Sequence, residues 1–510
     1  MSDPANVPLL ERALAAISPS WAAARGEARL RASRAWAIEA ARNYDAGNIS
    51  RRTKGWNPTA ASGSAALSTG LDRLRARSRD LARNNEWAGK GLAVIEDDVV
   101  GSGFAVAFQH ADKRLAETAA ARWAAWADSL QVDATGLSDF AGLLGAAMRG
   151  MAEGGDVVIR RRWRTLADGL AVPLQLQLLE GDHIDSSRDQ AKGDAGGRII
   201  QGVEHDLIGR RAAYWLHREH PGDAWNGNRE SVRVPASEVL HLFREDRKGQ
   251  VRGVPWMAPC LLRLRDIAEW EDAVLLRAKL ANYFVGSVEL STETPAFVAA
   301  GSDGKPSEDR IEDWKPGAVQ YLNPGEKLVW SEPPEVAVSH SDYLRVGLLA
   351  VAAGLQIPYE ALTGDLRNTN YSSGRLGWLQ WQRRIEVYRW RILVPRLCQP
   401  VVRWFLEALA TSEDPRFLEV RATWDPPHRE MIDPTQEVQA FRNAIRAGIV
   451  SRADVVRSLG RDPKAIVRDA GEDHQEQVAA GVMFDSDPAF DLGRKPAGEP
   501  GRKAGEAANP

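Results

Sequence analysis

The sequence of 510 residues has only two cysteines, Cys260 and Cys398, and no long uninterrupted apolar run. Two cysteines far apart exclude a disulfide scaffold and a cysteine-based zinc or iron–sulfur site, and sparse cysteine suits a reducing compartment. Without about 18 consecutive apolar residues, we expect no transmembrane helix. Residues 1–21 have an acid at position 3 and no basic segment before their apolar stretch, so we also expect no signal peptide.

A large excess of either charge is also missing. The chain carries 66 Lys and Arg against 69 Asp and Glu, a net charge of −3. Proteins that bind DNA non-specifically are normally basic, because they neutralise phosphates, so the total charge argues against that class. The total conceals local excesses of +7 over residues 1–90, −6 over residues 286–338 and +5 over residues 360–405.

The overall composition is that of a folded protein. A hydrophobic fraction of 44% and a charged fraction of 26% exclude wholesale disorder, collagen and a membrane bundle. A chain of this length has about three domains as a first expectation, because single cores stop growing near 300 residues.

Familiar catalytic motifs are absent from the sequence. Residues 301–306 fail the phosphate-binding P-loop pattern, since Pro306 stands where Ser or Thr is needed. His217 and His220 have neither zinc-protease spacing, and no nucleophile elbow is present. Glu96, Asp97 and Asp98 could hold magnesium in a nuclease. A solvated acidic helix end explains them better, and the nuclease is kept as the alternative.

The periodicity of the chain predicts an α+β fold. Apolar residues at helical spacing predict a helix or helix pair over 68–97, and short β-branched segments predict about five strands within 155–245. The other predicted helices are an Ala-rich helical segment (1–42), helices at 112–130, 137–152, 258–284 and 341–356, and small helices over 433–480, and one more strand is predicted within 411–430. Ser138 is the predicted cap of the helix at 137–152. A Trp-rich helical stretch is predicted over 372–410, and Pro395 and Pro400 should break or kink it.

Four stretches in order carry a resemblance to a known family. They are Arg77–Leu81 with Arg83–Asn85 and Asp98–Gly103; Val239–Arg244 running into Gly249–Trp256; Ile357–Glu360 with Leu362–Asp365 and Asn370–Ser373; and Ile432–Pro434 with Ala447–Ser451 and Gly460–Asp462. No single stretch is diagnostic, but the ordered set resembles the lambda-type portal proteins of tailed bacteriophages.

The resemblance implies a portal-type ring subunit with a wing, a two-helix stem, a clip and a crown. The implied segments are an N-terminal arm (1–45), the wing, helical and then β-rich (46–255), the first stem helix (256–285), the clip (286–338), the second stem helix (339–357), a tunnel loop, kinked long helix and return to the wing (358–430), the crown (431–480) and a disordered tail (481–510). The narrow apolar stripe of 258–284 fits this arrangement, because ring neighbours would cover it.

The resemblance also implies the function: a head-to-tail connector at the capsid vertex through which double-stranded DNA is packaged and ejected. We expect no catalysis, cofactor, metal or membrane contact. The implied partners are a homo-oligomeric ring, normally a dodecamer, the terminase large subunit, head–tail adaptor proteins and the major capsid or scaffold proteins. The protein would reside in the virion, and in the host bacterial cytoplasm during assembly.

Two groups of residues are candidate sites. The tunnel loop would contact DNA through Arg367, Asn368, Asn370, Tyr371, Ser372 and Ser373, because polar residues with one arginine suit weak phosphate contacts. The clip would bind terminase or adaptor through Glu308, Asp309, Glu312 and Asp313. The basic stretch 51–83 could face packaged DNA, a scaffold or neighbouring subunits. The remaining alternatives are a magnesium-dependent DNA-processing enzyme and another capsid-vertex or adaptor protein.

Overall fold

In a computed structural model, the chain divides into two units, Met1–Ser62 and Gly63–Pro510. The structure describes residues 60–223, 230–282, 286–290, 326–330, 340–367, 369–427, 433–459 and 463–482, with Phe484 and scattered positions between 18 and 58. Most of the predicted N-terminal arm, most of the predicted clip and nearly all of the predicted tail therefore lie outside the described residues. No helix among the described residues is long and apolar enough to cross a membrane.

The first unit is described only at scattered positions, of which residues 19–21, 23–25, 27–28 and 31 are helical. The second unit opens with helices α1 (Gly63–Ser68), α2 (Leu71–Asn84) and α3 (Glu86–Val100). Helices α2 and α3 are separate because Asn85 has an extended backbone and its side chain accepts a hydrogen bond from Ala88 N. The prediction of a helix pair over 68–97 is confirmed.

Two more helices complete the first helical layer. Helix α4 (Lys113–Ala127) is capped by Asp112, and α5 (Phe140–Gly154) is capped by Asp139, whose carboxylate accepts from Gly142 N at 2.7 Å. The prediction that Ser138 caps the second helix is wrong by one residue. Strand β1 (Ala105–Gln109) lies between α3 and α4 along the chain.

Antiparallel strands form two sheets within residues 156–243. The first sheet has the order β3-β2-β8, made from β2 (Asp156–Trp163), β3 (Leu174–Glu180) and β8 (Val239–Phe243). The second has the order β4-β5-β6-β7, made from β4 (Gly196–Ile200), β5 (Val203–Asp206), β6 (Arg211–His217) and β7 (Ser231–Pro235). Buried side chains that include Val158 and Leu216 form an apolar cluster between the two sheets.

Among the described residues of 155–245, seven strands therefore occur where the sequence predicted about five. The segment 197–206 reverses direction at Gln201 and Gly202, whose φ angles are 47° and 78°. Two successive positive φ angles form the type I′ turn that suits a tight hairpin, so one predicted strand becomes β4 and β5. Strand β7 lies in a stretch that the prediction had left without structure.

Two long helices follow the β-rich region. Helix α6 (Leu261–Asn282) packs against α7 (His340–Leu355), confirming the two predicted helices to within a few residues. The two helices approach closely because α7 has glycines at the contact: a Cβ on Gly347 would lie 2.9 Å from Ile267 Cδ1, and one on Gly354 would lie 3.1 Å from Cys260 Cβ. Between the two helices, β9 (Gly286–Leu290) pairs antiparallel with β10 (Glu326–Trp330).

A long helical segment runs from Tyr371 to Ser412. After the short α8 (Tyr359–Thr363), it comprises α9 (Tyr371–Tyr388), a π-helical part (Arg389–Cys398) and α10 (Gln399–Ser412). The sequence predicted a break or kink at Pro395 and Pro400. The segment is not broken at either proline, and around Pro395 its hydrogen-bond pattern changes from α-helical to π-helical. Pro400 lies at the start of α10, two residues after the π-helical part ends.

Strand β11 (Arg421–Asp425) confirms the strand predicted within 411–430 and pairs antiparallel with β1, more than 300 residues earlier. The last described elements are α11 (Pro434–Arg446), α12 (Arg452–Ser458) and α13 (Pro463–Ala480). The main apolar core joins α3, α4, α5, the start of α6, α7 and α10, and it contains Trp123, Trp126 and Phe405. The fold is α+β, as predicted.

Candidate nucleic-acid interface and its supports

The loop between α8 and α9 holds its arginine in a local ion pair. Gly364 ends α8 with a φ of 70°, which turns the chain into the loop. Asp365 accepts hydrogen bonds from Arg367 Nε at 2.9 Å and Nη2 at 3.0 Å, and Arg367 lowers the pKa of Asp365 to about 2. The Arg367 side chain is 86% exposed, so it faces solvent with its charge largely balanced.

Asn370 and Ser373 have a structural role in this loop. The Asn370 side chain accepts from Ser373 N at 2.8 Å, and Ser373 Oγ accepts from Asn370 N at 3.1 Å, a reciprocal capping box that starts α9. Of the other predicted loop residues, Asn368 lies outside the described residues, as do the side chains of Tyr371 and Ser372. The structure therefore brings together Arg367, Asn370 and Ser373, with the last two occupied in capping.

Exposed arginines continue along the helix that follows. Arg375, Arg383 and Arg384 on α9 and Arg391 in the π-helical part are all exposed. Within the part of the chain that the structure describes, Arg375, Arg383 and Arg391 have no carboxylate within ion-pair distance. In the sequence these arginines contribute to the net charge of +5 over residues 360–405. The predicted site included only the loop residues, so it did not name these arginines.

The same helical segment is anchored to the end of α3. Trp381 Nε1 donates to Asp98 Oδ2 at 2.6 Å. Buried Arg389 donates from Nε to Val99 O at 2.7 Å and from Nη2 to Asp98 O at 3.0 Å. These bonds tie the segment that carries the exposed arginines to Asp98 and Val99, which belong to a stretch that carried the family resemblance.

The three consecutive acids at the end of α3 do not form a metal site. Glu96 binds Arg149, with Oε2 at 3.3 Å from Nη1, while Asp98 accepts from Trp381 and Asp97 is exposed. Burial raises the pKa of Asp98, with Asp97 also contributing. Because the carboxylates point to different partners, the geometry disfavours the magnesium-nuclease alternative.

A buried ionic cluster lies at the junction of α2, β2 and β8. Asp156 is fully buried and pairs with Arg75, with Arg252 Nε at 2.7 Å and with His241 Nε2 at 3.0 Å. Burial would raise the pKa of Asp156, but Arg252, Arg75 and His241 hold it well below its usual range. His241 and Arg252 both belong to the second stretch that carried the family resemblance, and no motif indicated Asp156 in the sequence.

Two arginines of the basic stretch 51–83 pair with acids of the β-rich region. Arg75 is 1% exposed in the cluster, so it is unavailable to DNA, scaffold or neighbouring subunits. Arg79 is partly buried and pairs with Asp182 and Glu180, each 2.6 Å from its Nη2.

One group among the described residues has the composition of a metal site. Ligand atoms of Glu180, Asp182 and His220 lie within 4.8 Å of one another. The Arg79 guanidinium already occupies the space between the two carboxylates, so a cation is supplied by the protein itself. His217 lies 3.8 Å from Asp185, outside this group, so His217 and His220 do not lie at one common site.

The paired helices α6 and α7 leave apolar side chains in solvent. Leu264 and Ile267 are buried, but Leu275 and Leu276, further along α6, are 52% and 57% exposed. Val346 and Leu349 on α7 are 63% and 45% exposed. Exposed apolar residues on neighbouring helices are typical of a surface that another protein covers.

The predicted clip residues lie outside the described residues, so Glu308, Asp309, Glu312 and Asp313 stay predictions. The described part of that insertion is the β9–β10 pair, which brings residues 290 and 326 side by side.

The family model and the curated relatives that match this chain agree on one family. A family model described as "Phage portal protein, lambda family" matches residues 49–389. The chain is 24% identical to the "Probable portal protein" of Halomonas phage phiHAP-1, over 81% of this chain and 82% of that protein. It is 23% identical to the "Portal protein" of Escherichia phage N15, over 91% and 95%. Among solved structures it is similar to a chain in the neck of an empty gene transfer agent particle with C6 symmetry, with 14% identity, a TM-score of 0.44 and coverage of 82% and 100%.

Proposed function

This chain belongs to the lambda family of phage portal proteins, and we propose that its copies form a dodecameric ring around an axial channel for double-stranded DNA. The ring would stand at one vertex of the capsid, nucleate assembly with capsid or scaffold proteins in the host cytoplasm, and stay in the virion. The family match carries this proposal, and the exposed leucines of α6 support it, since neighbouring copies would cover them.

The assignment of regions follows from the paired helices. We place the stem at 256–285 and 339–357, the clip at 286–338, the wing at 46–255 and the crown at 431–480, with residues 1–45 as an arm. Helices α6 and α7 pack together and flank the insertion, whose described ends pair as strands. This helix–insertion–helix arrangement also disfavours a shorter capsid-vertex or adaptor protein.

For the DNA contact, we propose the tunnel loop together with the helix behind it. Arg367, Asn368, Asn370, Tyr371, Ser372 and Ser373 form the loop, and Arg375, Arg383 and Arg391 extend its positive charge along α9 and the π-helical part. Asp365 balances the charge of Arg367, so attraction to phosphate at the loop is weak. A weak contact at the loop, backed by solvated arginines, holds DNA without stopping its passage.

The capping role of Asn370 decides how the channel is tested. Alanine at Asn370 would remove a helix cap as well as a polar contact, so the triple variant Arg367→Gln, Arg375→Gln and Arg383→Gln is the cleaner change. We expect rings of normal size, with packaged or retained DNA reduced several-fold in a packaging assay. Arg265→Gln on α6, an exposed arginine outside the segment, is the matched control; full packaging by the triple variant would contradict the channel assignment.

The acidic clip is the proposed surface for the terminase large subunit and the head–tail adaptors. Its net charge of −6 and the four acids Glu308, Asp309, Glu312 and Asp313 support binding to a basic partner surface. Replacing those four acids by lysine should weaken terminase binding in a pull-down at low salt. Unchanged binding would count against the clip as the docking site.

The lambda portal proteins are a structural family, and we propose that this chain performs no covalent chemistry and uses no cofactor. The dispersed partners of Glu96, Asp97 and Asp98 support this over the nuclease alternative. Incubation of the purified chain with magnesium and plasmid DNA should leave the DNA intact, whereas cleavage that Asp98→Asn abolishes would favour the enzyme.

A further inference from the structure

A basic groove lies between the two sheets of the β-rich region. Its volume is about 360 Å³, and it is lined by Arg160, Arg162, Gln177, Leu179, Leu216, His217, Arg218 and Val232. The face of β2 that carries Val158 into the apolar cluster between the sheets continues outward to Arg160 and Arg162, because side chains two apart on a strand share a face. The groove therefore has an apolar inner end and a cationic wall.

The arginines of the groove have few counter-charges. Their cross-strand partners on β3 are neutral: Arg160 faces Gln177, and Arg162 faces Gln175. Arg162 Nε donates to Gln177 at 2.8 Å, and within the described residues Arg160 Nε is buried with no hydrogen-bond partner. Burial lowers the pKa of Arg162, as do Arg160 and Arg164, and Glu238 is the acid that opposes this.

The chemistry of this wall selects a carboxylate or phosphate ligand, since guanidinium groups bind both through paired hydrogen bonds. Arg218, which is exposed, adds a further cation at the rim, while His217 faces Asp185. The side chains of Leu179, Leu216 and Val232 favour a ligand that also has apolar groups. A DNA backbone offers only small sugar C–H groups, so an acidic peptide with interspersed large apolar residues fits the groove better.

The chain itself contains such a peptide beyond its last described helix. Residues 484–493 read Phe-Asp-Ser-Asp-Pro-Ala-Phe-Asp-Leu-Gly, with three acids and no base. Asp485 and Asp487 are two residues apart, the same repeat as Arg160 and Arg162, and Pro488 favours an extended backbone at Asp487. Phe490 and Leu492 then supply apolar groups for the inner end of the groove.

We propose that the acidic tail segment, residues 484–493, binds in this groove, with Asp485 and Asp487 on Arg160 and Arg162. The binding would fix the tail of one copy to the β-rich region of the same or a neighbouring copy. This inference does not depend on the proposed DNA channel, and each can fail without the other.

The test uses the full chain with Asp485→Asn, Asp487→Asn and Asp491→Asn as the receptor, so that its own tail does not compete. A fluorescent peptide of residues 484–493 should bind it, and binding should fall at least tenfold when Arg160→Gln and Arg162→Gln are added. The matched control, Arg198→Gln with Arg210→Gln, removes two exposed arginines of the same region outside the groove and should change binding less than twofold. A peptide with Asn at the three acids should not bind.

Two results would overturn the proposal. One is peptide binding that is equal in the groove and control variants, provided both keep the thermal unfolding midpoint of the receptor. The other is a 30-base-pair DNA duplex that displaces the peptide and loses its own binding in the Arg160→Gln, Arg162→Gln variant, which would make the groove a nucleic-acid site. A second readout is hydrogen exchange of β2 and β3, which should be slower in the natural chain than in the tail-neutralised receptor.

Discussion

The β-rich region and the helices that follow it use the same residue types in opposite ways. In the β-rich region, Arg252 is fully buried beside Asp156, together with Arg75 from α2. On α9, Arg375 and Arg383 are exposed, and α6 exposes Leu275 as well. The difference teaches that the buried cluster around Asp156 satisfies its charges internally, whereas the helices leave both charged and apolar groups for other molecules.

The largest effect should come from removing the acid at the centre of the buried cluster. Asp156→Asn leaves Arg75 and Arg252 buried without a counter-charge, which costs about 3–5 kcal/mol of unfolding free energy and lowers the thermal midpoint sharply. Calorimetry or circular dichroism measures the shift. Asp365→Asn makes the same chemical change in an exposed pair and should leave the midpoint unchanged; equal losses would erase the distinction between the regions.

The buried cluster should also make stability depend on pH. His241 accepts at Nδ1 from Arg211 and donates from Nε2 to Asp156, and burial lowers its pKa from 6.5 to about 4. The unfolded chain therefore binds one more proton between these pH values, so the unfolding free energy falls as pH drops from 6.5 to 4, by up to about 1.4 kcal/mol per pH unit.

The matched variant for this prediction is His241→Gln, which cannot titrate. Its unfolding free energy should depend less steeply on pH by about one proton between pH 4 and 6.5, whatever its stability at pH 7. His183 and His205, whose pKa values burial also lowers, should retain a residual slope. An unchanged slope in denaturant titrations would show that His241 does not carry the effect.

A smaller free-energy effect should come from the exposed face of α6. Leu275→Lys puts a charge where neighbouring copies are proposed to meet. We expect this change to weaken the association free energy by roughly 1–2 kcal/mol per interface and to yield monomers in analytical ultracentrifugation. Leu418→Lys, which changes another exposed leucine outside the stem, should still form rings. If Leu275→Lys forms normal rings, this face of α6 is not the contact.

The smallest effect concerns the exposed arginines. Arg383→Gln with Arg391→Gln should lower the salt dependence of DNA binding, with the slope of log affinity against log salt falling by about 1 for each lost phosphate contact. Fluorescence anisotropy with the assembled ring measures the slope. Arg263→Gln on α6 should leave it unchanged, and identical slopes for all variants would mean that DNA does not follow α9.

The sequence predicted the helices and the α+β class well because these depend on local periodicity. It missed β1, whose partner β11 lies more than 300 residues away, and it missed the hairpin turn at Gln201, because a residue other than Gly, Asn or Asp rarely has a positive φ. It also expected a break or kink at Pro395, where the segment stays unbroken and becomes π-helical.

The candidate site was predictable only in outline. The order of motifs located the loop, but the capping roles of Asn370 and Ser373 depend on where α9 starts. Counting charges over 51–83 could not separate Arg75, buried by long-range contacts with β2, from arginines in solvent. Burial is set by tertiary packing, so the two uses of arginine emerge only in the folded chain.

The central claim is that copies of this chain close into a ring with the loop and α9 at its axis. Cryo-electron microscopy of the purified full-length protein tests it most directly. The account predicts closed rings with an axial channel in which Arg367 and Arg383 face the lumen and Arg75 stays inside the subunit. Monomers, or rings that carry Arg383 on their outer surface, would contradict it.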